Sequence, residues 1–213
     1  MPDVLGWIAG HIGLVARTSQ EHVVLSVAAI GAVLVIAIPL GIGLAQRERL
    51  ADLVLGSVNA LRTVPSLALL AIMLPVLGTG FVPSLVALTL YGLPAVLVNT
   101  LVGVRDVDRE VVEAARGQGM SERQILLRIA LPLAAPVIVA GIRTAAVQIV
   151  SAATLAVFIG GGGLGELISS GLGLMDMAQL TTGAILVALL AMLTEFVFAA
   201  AQFGLRRRVG RAQ

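Results

Sequence analysis

Few side chains in this 213-residue sequence could act as nucleophiles, general bases or metal ligands. It contains no cysteine, so it has no disulfide, no thiol nucleophile and no thiolate metal site. Its two histidines, His11 and His22, both lie near the N-terminus and cannot complete an HExxH zinc motif or a Ser-His-Asp triad. The glycine tract 160–165 lacks the Gly-Lys-Ser/Thr ending of a phosphate-binding loop. These features argue against enzymatic chemistry and against a metal or cofactor held by this chain.

The polar segment 105–132 is the longest polar stretch between apolar runs, and it holds ten charged residues. Its pattern predicts two short helices joined by a tight turn. The first would carry an apolar stripe of Val107, Val111, Ala114 and Ala115, and Pro132 would end the second. Asp106 or Asp108 can cap the first helix and Gly119 can end it, while Ser121 and a glutamine three residues later form a capping box for the second. Such a rigid pair of helices is suited to transmitting the movement of a partner protein.

Other polar residues lie inside the apolar runs, where they can line a pathway or join helices. Pro65 removes a backbone donor, and a helix broken in lipid needs its freed groups satisfied by protein or water. Arg143 and Glu195 are the only charges in the fourth and fifth runs, and pairing Glu195 with Arg143 or Arg62 would lower the cost of placing them there. The pathway and gate candidates are Arg62, Thr63, Pro65, Ser66, Asn99, Gln148 and Ser151.

The elements that position these residues are long apolar segments. Hydrophobic residues make up 58% of the sequence and charged residues 12%, and the mean hydropathy is +1.03, so lipid must cover part of the surface. About five runs are each long enough to cross a hydrocarbon core of about 30 Å. We therefore predict one all-α membrane domain over residues 1–213, and leave open whether the second run is a kinked helix or two half-helices. The runs are 23–45, 53–77, 83–104, 133–159 and 177–203.

The distribution of arginine predicts the orientation of the chain. All 14 basic residues are arginine, and after five crossings only Arg17 lies on the side of the N-terminus. The opposite side collects Arg47, Arg49, the five arginines of segment 105–132 and Arg206, Arg207, Arg208 and Arg211. By the positive-inside rule that side is cytoplasmic, so we expect the N-terminus outside and the C-terminus in the cytoplasm. The first 20 residues could form a short interfacial helix.

The spacing within segment 105–132 resembles the EAA loop of binding-protein-dependent ABC importer permeases. In that family the loop supplies a coupling helix that docks into a groove on a separate ATPase. The resemblance implies a type I, methionine-importer-like permease fold and no catalysis by this chain, with ATP and magnesium bound by a partner ATPase dimer. It also implies a second permease subunit, identical or paralogous, and a separate substrate-binding protein. The matching residues are Glu113, Ala114, Ala115, Gly119, Ile129, Leu131 and Pro132.

Three further stretches resemble the osmoprotectant branch of this family: residues 62–70, residues 141–145, and the glycine tract followed by Glu166. Members of that branch import glycine betaine, carnitine, choline, proline betaine and related quaternary ammonium compounds across a bacterial or archaeal plasma membrane. The few aromatic residues are too scattered for an aromatic cage, which places high-affinity selection in the binding protein. A methionine-type importer permease stays open as an alternative, as does a passive channel or scaffold, which would need no coupling loop.

Overall fold

The computed structural model describes residues 3–209, and every regular element in that range is a helix. Arg211, one of the arginines expected in the cytoplasm, lies outside the described residues, as do the side chains of Arg206 and Arg208. The predicted all-α class is confirmed. The α-helices are α1 (Val4–Gly10), α2 (Ile12–Ala45), α3 (Glu48–Leu61), α4 (Ser66–Leu77), α5 (Phe81–Arg105), α6 (Arg109–Gly117), α7 (Glu122–Ile125), α8 (Leu131–Ala152), α9 (Gly165–Gly173) and α10 (Met177–Val209).

Four helical segments of the described chain are long and apolar enough to cross a membrane, and α3 with α4 makes a fifth if that bent pair is one span. The four are Ile12–Ala45, Phe81–Arg105, Glu122–Ile159 and Met177–Leu205. The segment Glu122–Ile159 consists of α7, a π-helical turn (Leu126–Ala130), α8 and a 3-10 helix (Ala153–Ile159). The prediction of about five crossings is confirmed.

The second apolar run is divided into two helices, which settles the alternative that the sequence left open. α3 and α4 meet at an angle of 96°, with the break between Leu61 and Ser66. Pro65 has an extended backbone (φ −59°, ψ 139°) and forms the N-cap of α4. Proline disfavours helical geometry in the residue before it and donates no backbone hydrogen bond, so α3 ends ahead of it and α4 starts afresh.

α5 is the central helix, with α2 and α8 packed along it and α4 and α3 making smaller contacts. Small residues let the backbones come close. A Cβ atom on Gly92 of α5 would lie 2.6 Å from Ile149 of α8, and one on Gly141 of α8 would lie 2.5 Å from the Cβ of Asn99 and 2.8 Å from the carbonyl oxygen of Ala95. Close approach through glycine is how helices in lipid gain packing contacts without a hydrophobic driving force.

Two details of the fold differ from the sequence-based expectation. α2 begins at Ile12 and not near Val23, because the polar turn that includes Arg17 is still helical. The second helix of segment 105–132 does not end at Pro132: α7 continues through the π-helical turn into α8. In a regular α-helix the Pro132 ring would crowd the carbonyl group four residues earlier, and the wider turn just before it relieves that conflict.

Candidate coupling loop and pathway residues

α6 is the first of the two predicted short helices in segment 105–132. Its cap is Asp108, whose Oδ1 accepts a hydrogen bond from the Glu110 N–H at 2.8 Å. Gly119 follows its end with a φ of +82°, and the Met120 N–H donates to the carbonyl oxygen of Ala115 at 3.2 Å. This is a left-handed helix terminus, a conformation that costs glycine nothing and other residues about 1 kcal/mol or more.

The start of α7 carries the predicted capping box in full. The Ser121 N–H donates to the Gln124 side-chain oxygen at 2.8 Å, and the Gln124 N–H donates to Ser121 Oγ at 3.4 Å. Because both ends of the turn between α6 and α7 are satisfied by local bonds, the relative direction of the two helices is set by the loop itself.

An ion pair braces α6 against α7. Arg116 Nε donates to Glu122 Oε1 at 2.8 Å, and the Arg116 Nη2 atom lies at the same distance from that oxygen. Both side chains are exposed, so the pair orients the loop more than it stabilises the fold.

The exposed surface of α6 differs from the predicted apolar stripe. That stripe comprised Val107, Val111, Ala114 and Ala115, but Val111 is 41% exposed and Ala114 is exposed too. Ala115 is the only buried residue of α6. The helix packs through the face that points toward α7, and its other faces are exposed to solvent. Glu113 and Gly119 are also exposed, and Pro132 is exposed at the start of α8. Ile129 and Leu131 are half-buried on the segment that leads into α8.

A groove of about 570 Å³ lies between the 105–132 loop and the ends of α2 and α5. Arg105, at the end of α5, donates from Nε to the carbonyl oxygen of Ala45 at 3.5 Å and lies 3.8 Å from Asp52 of α3. These contacts tie the base of the loop to three helices of the bundle.

The two charges predicted to pair within the membrane do so. Arg143 of α8 donates from Nε to Oε1 of Glu195 of α10 at 2.9 Å, and its Nη2 atom contacts the same oxygen. Arg62, the other predicted partner, does not pair with Glu195. Its Nη2 atom donates to the carbonyl oxygen of Pro94 at 3.2 Å. The break between α3 and α4 directs Arg62 toward α5, whereas α8 and α10 pack side by side over much of their length.

The pathway candidates divide into two groups. Ser66, Gln148 and Ser151 line a common cavity of about 350 Å³ on the side of the bundle, which we call the side cavity; its other lining residues are Tyr91, Val147, Ala152, Thr154 and Leu155. Arg62, Thr63 and Pro65 are exposed at the break but do not line it. Asn99 does not line the side cavity either, and its amide nitrogen donates to the Ala95 carbonyl oxygen at 2.8 Å, within its own helix.

Two polar contacts were missed by the sequence analysis. Gln202 is 7% exposed, accepts a hydrogen bond from Arg143 Nη1 at 3.1 Å and donates to the Pro136 carbonyl oxygen at 3.4 Å. It extends the Arg143–Glu195 pair into a three-residue network. Its position seven residues after Glu195, two turns along the same face of α10, was the available signal.

The second missed contact lies at the opposite end of the bundle. Arg17 binds Glu166 at 2.9 Å and Glu21 at 3.2 Å, and Glu21 accepts a hydrogen bond from the Gly163 N–H at 3.1 Å. His22 is fully buried beside them, with Nε2 3.0 Å from the Val150 carbonyl oxygen. The glycine tract thus packs against α2 beside a surface groove of about 680 Å³. The four-residue spacing of Arg17 and Glu21 was the only hint in the sequence.

Taken together, the fold and these sites define a polytopic helical membrane protein with a capped helical loop at one end. A family model described as "Binding-protein-dependent transport system inner membrane component" matches residues 37–211. The chain belongs to this family.

Relatives with assigned names match almost the whole chain. The choline transport system permease protein OpuBB of Bacillus subtilis is 39% identical over 202 residues, covering 95% of this chain and 93% of that protein. The carnitine transport permease protein OpuCB of Listeria monocytogenes is 41% identical over 196 residues, covering 92% and 89%. The chain is thus similar over its length to permease subunits of transport systems.

Among solved structures, the inward-facing MetNI methionine ABC transporter has a chain with a TM-score of 0.81, covering 96% of this chain and 99% of that one. The sequence identity is 22%, so this likeness concerns the fold alone. The predicted methionine-importer-like architecture is confirmed.

Proposed function

We propose that this chain is the permease subunit of an ATP-binding-cassette importer for quaternary ammonium osmoprotectants, among them glycine betaine, carnitine, choline and proline betaine. The observation that carries the proposal is the 39–41% identity, over more than nine-tenths of the chain, to permeases named for choline and carnitine transport. The methionine importer shares only the fold, at 22% identity, so it supports the alternative substrate less well.

In this function α6 is the coupling helix. Val111, Glu113 and Ala114 are exposed on it, which offers a small apolar and acidic surface to a groove on an ATPase. A partner ATPase dimer binds ATP and magnesium and hydrolyses the nucleotide, and this chain contributes no catalytic group. Because the loop is held by its caps and by the base contacts of Arg105, movement of the ATPase reaches the membrane helices without being absorbed by the loop.

The arginine distribution supports an orientation with the N-terminus outside and the C-terminus in the cytoplasm of a bacterial or archaeal cell. The end of the bundle that carries the 105–132 loop then faces the ATPase. The opposite end, with Arg17, Glu166 and the glycine tract, faces a separate substrate-binding protein. The side cavity faces a second permease subunit, identical or paralogous, with which it encloses the pathway.

Reconstitution of the complete transporter tests the proposal. The chain would be assembled in proteoliposomes with its ATPase and binding protein, and uptake of radiolabelled glycine betaine, carnitine, choline and methionine would be measured with and without ATP. We expect ATP-dependent uptake of at least one quaternary ammonium compound and none of methionine. Uptake of methionine alone would support the alternative importer, and equal flux without ATP would support a passive channel.

The coupling role of α6 has its own experiment. Ala114→Arg places a long charged side chain on the exposed face of α6, so we expect loss of ATPase co-purification while the permease still inserts. Gln46→Arg is the matched control, because it adds the same charge at an exposed position on the same end of the bundle but outside α6. Normal ATPase binding by the Ala114 variant would argue against docking through α6.

A further inference from the structure

The side cavity contains polar groups that the described part of the chain leaves unbonded. The hydroxyl groups of Ser66, Tyr91 and Ser151 and the side-chain amide of Gln148 make no hydrogen bond to any residue between 3 and 209. By contrast, Thr154, on the same wall, donates to the Ser151 carbonyl oxygen at 2.7 Å. Polar groups without partners are costly within a membrane, so we expect these four to bond water, a passing solute or the second permease subunit.

The cavity contains no charged side chain. Its eight lining residues are two serines and one each of tyrosine, glutamine, threonine, valine, alanine and leucine. A solute with a net charge would find no counter-ion there, whereas a compact zwitterion carries its own. Hydroxyl and amide donors can hydrogen-bond a carboxylate, but none of them can bond a trimethylammonium group, which has no N–H to donate.

Tyr91 is the aromatic residue in the cavity lining, and its ring can attract such a cation because the face of an aromatic ring carries negative charge density. Tyr91 lies near the middle of α5, and its ring is half-buried between two apolar clusters, one including Leu70 and the other Val96. Contacts with both clusters restrain Tyr91, and the residue is also part of the lining of the side cavity.

We infer that the side cavity is a transient site for a zwitterionic quaternary ammonium substrate such as glycine betaine, in which Tyr91 contacts the trimethylammonium group and Ser66, Gln148 and Ser151 contact the carboxylate end. This inference rests on the proposed function and deepens it by assigning substrate contacts to the permease itself. The site has one ring where a high-affinity cage would have several, so it holds the substrate weakly and releases it onward.

The test uses the complete transporter in proteoliposomes with saturating, substrate-loaded binding protein, so that the uptake rate reports on the permease. Position 91 would carry Tyr91→Phe, Tyr91→Leu, or phenylalanine with one, two or three ring fluorines introduced by codon suppression. Fluorine withdraws charge density from the ring face with little change in size. We expect Tyr91→Phe to retain most of the glycine betaine uptake, Tyr91→Leu to lose it roughly threefold or more, and the fluorinated series to decline stepwise.

Phe196→Leu is the matched control, because Phe196 is a 65% exposed aromatic residue on α10 that does not line the side cavity. Its uptake rate should equal that of the wild type. Equal rates across the fluorinated series in a transporting complex would overturn this inference alone, as would a loss in Tyr91→Phe as large as that in Tyr91→Leu. Absence of uptake by the wild-type complex would instead overturn the proposed function, and this inference with it.

Discussion

Arg143 of α8 and Glu195 of α10 face each other across the helix interface, with Nε 2.9 Å from Oε1. Each lies within an apolar segment long enough to cross a bilayer, and Gln202 bonds the same guanidinium group. An arginine and a glutamate that are each costly alone in lipid become tolerable as a hydrogen-bonded pair. The pair therefore fastens α10, which has few other buried residues, to the rest of the bundle.

Charge reversal tests this pairing. Glu195→Arg should reduce the amount of assembled permease severalfold, because two arginines would then face each other in the apolar segments. Adding Arg143→Glu should restore part of the assembly by recreating the pair in the opposite sense. Adding Arg62→Glu should not, since Arg62 bonds Pro94. The amount of assembled permease in detergent, measured by size-exclusion chromatography, distinguishes these cases. Equal rescue by Arg143→Glu and Arg62→Glu would contradict the structure.

Gly119 provides a test of the loop geometry. Its φ of +82° strains any residue with a Cβ, although no atom lies within 4 Å of where that Cβ would be. Gly119→Ala should therefore destabilise the turn by about 1 kcal/mol and lower coupled transport while insertion stays normal. Gly117→Ala is the matched control, since Gly117 is helical and equally uncrowded. Wild-type transport by the Gly119 variant would show that the turn is not critical for coupling.

Cysteine labelling tests the pathway. The natural sequence has no cysteine, so single substitutions report one site each. Ser66→Cys and Ser151→Cys should react with a polar thiol reagent in at least one transport state, because both residues line the side cavity. Ser26→Cys should stay unreactive, since Ser26 is 2% exposed beside an apolar groove. If neither the Ser66→Cys nor the Ser151→Cys variant reacted in any transport state, the side cavity would be covered by lipid or by packed protein and would not line the pathway.

The packing of α5 against α8 makes a fourth prediction. Gly141→Ala would place a Cβ 2.5 Å from Asn99 and 2.8 Å from the Ala95 carbonyl oxygen, which belongs to the backbone and cannot turn aside. Forcing extra atoms into such a contact costs typically about 1–3 kcal/mol, so the thermal unfolding temperature of the purified permease should fall. Gly31→Ala on α2 meets nothing within 4 Å and should leave it unchanged. Equal unfolding temperatures would mean that α5 and α8 lie farther apart.

Local bonding explains which parts of the 105–132 loop could be predicted. The capping box at Ser121 and the left-handed residue at Gly119 depend on neighbours within a few positions, and both are present as predicted. The apolar stripe on α6 was assigned wrongly at Val111, because which face of a short helix is buried depends on the rest of the bundle. The π-helical turn before Pro132 was missed for the same reason. Whether a proline ends a helix or is accommodated by a wider turn depends on how the flanking helices pack in the bundle.

The sequence by itself determined that this chain is a helical membrane protein of about five crossings, since apolar run length and composition decide whether a segment enters lipid. It also indicated the family, because the residues of segment 105–132 have the spacing of the EAA loop, and the family model matches residues 37–211. Only the tertiary structure decided that Arg143, and not Arg62, pairs with Glu195, and that Ser66, Tyr91, Gln148 and Ser151 share one cavity. These residues are brought together from separate helices, and their proximity follows from a 96° break and from close backbone packing that no local pattern encodes.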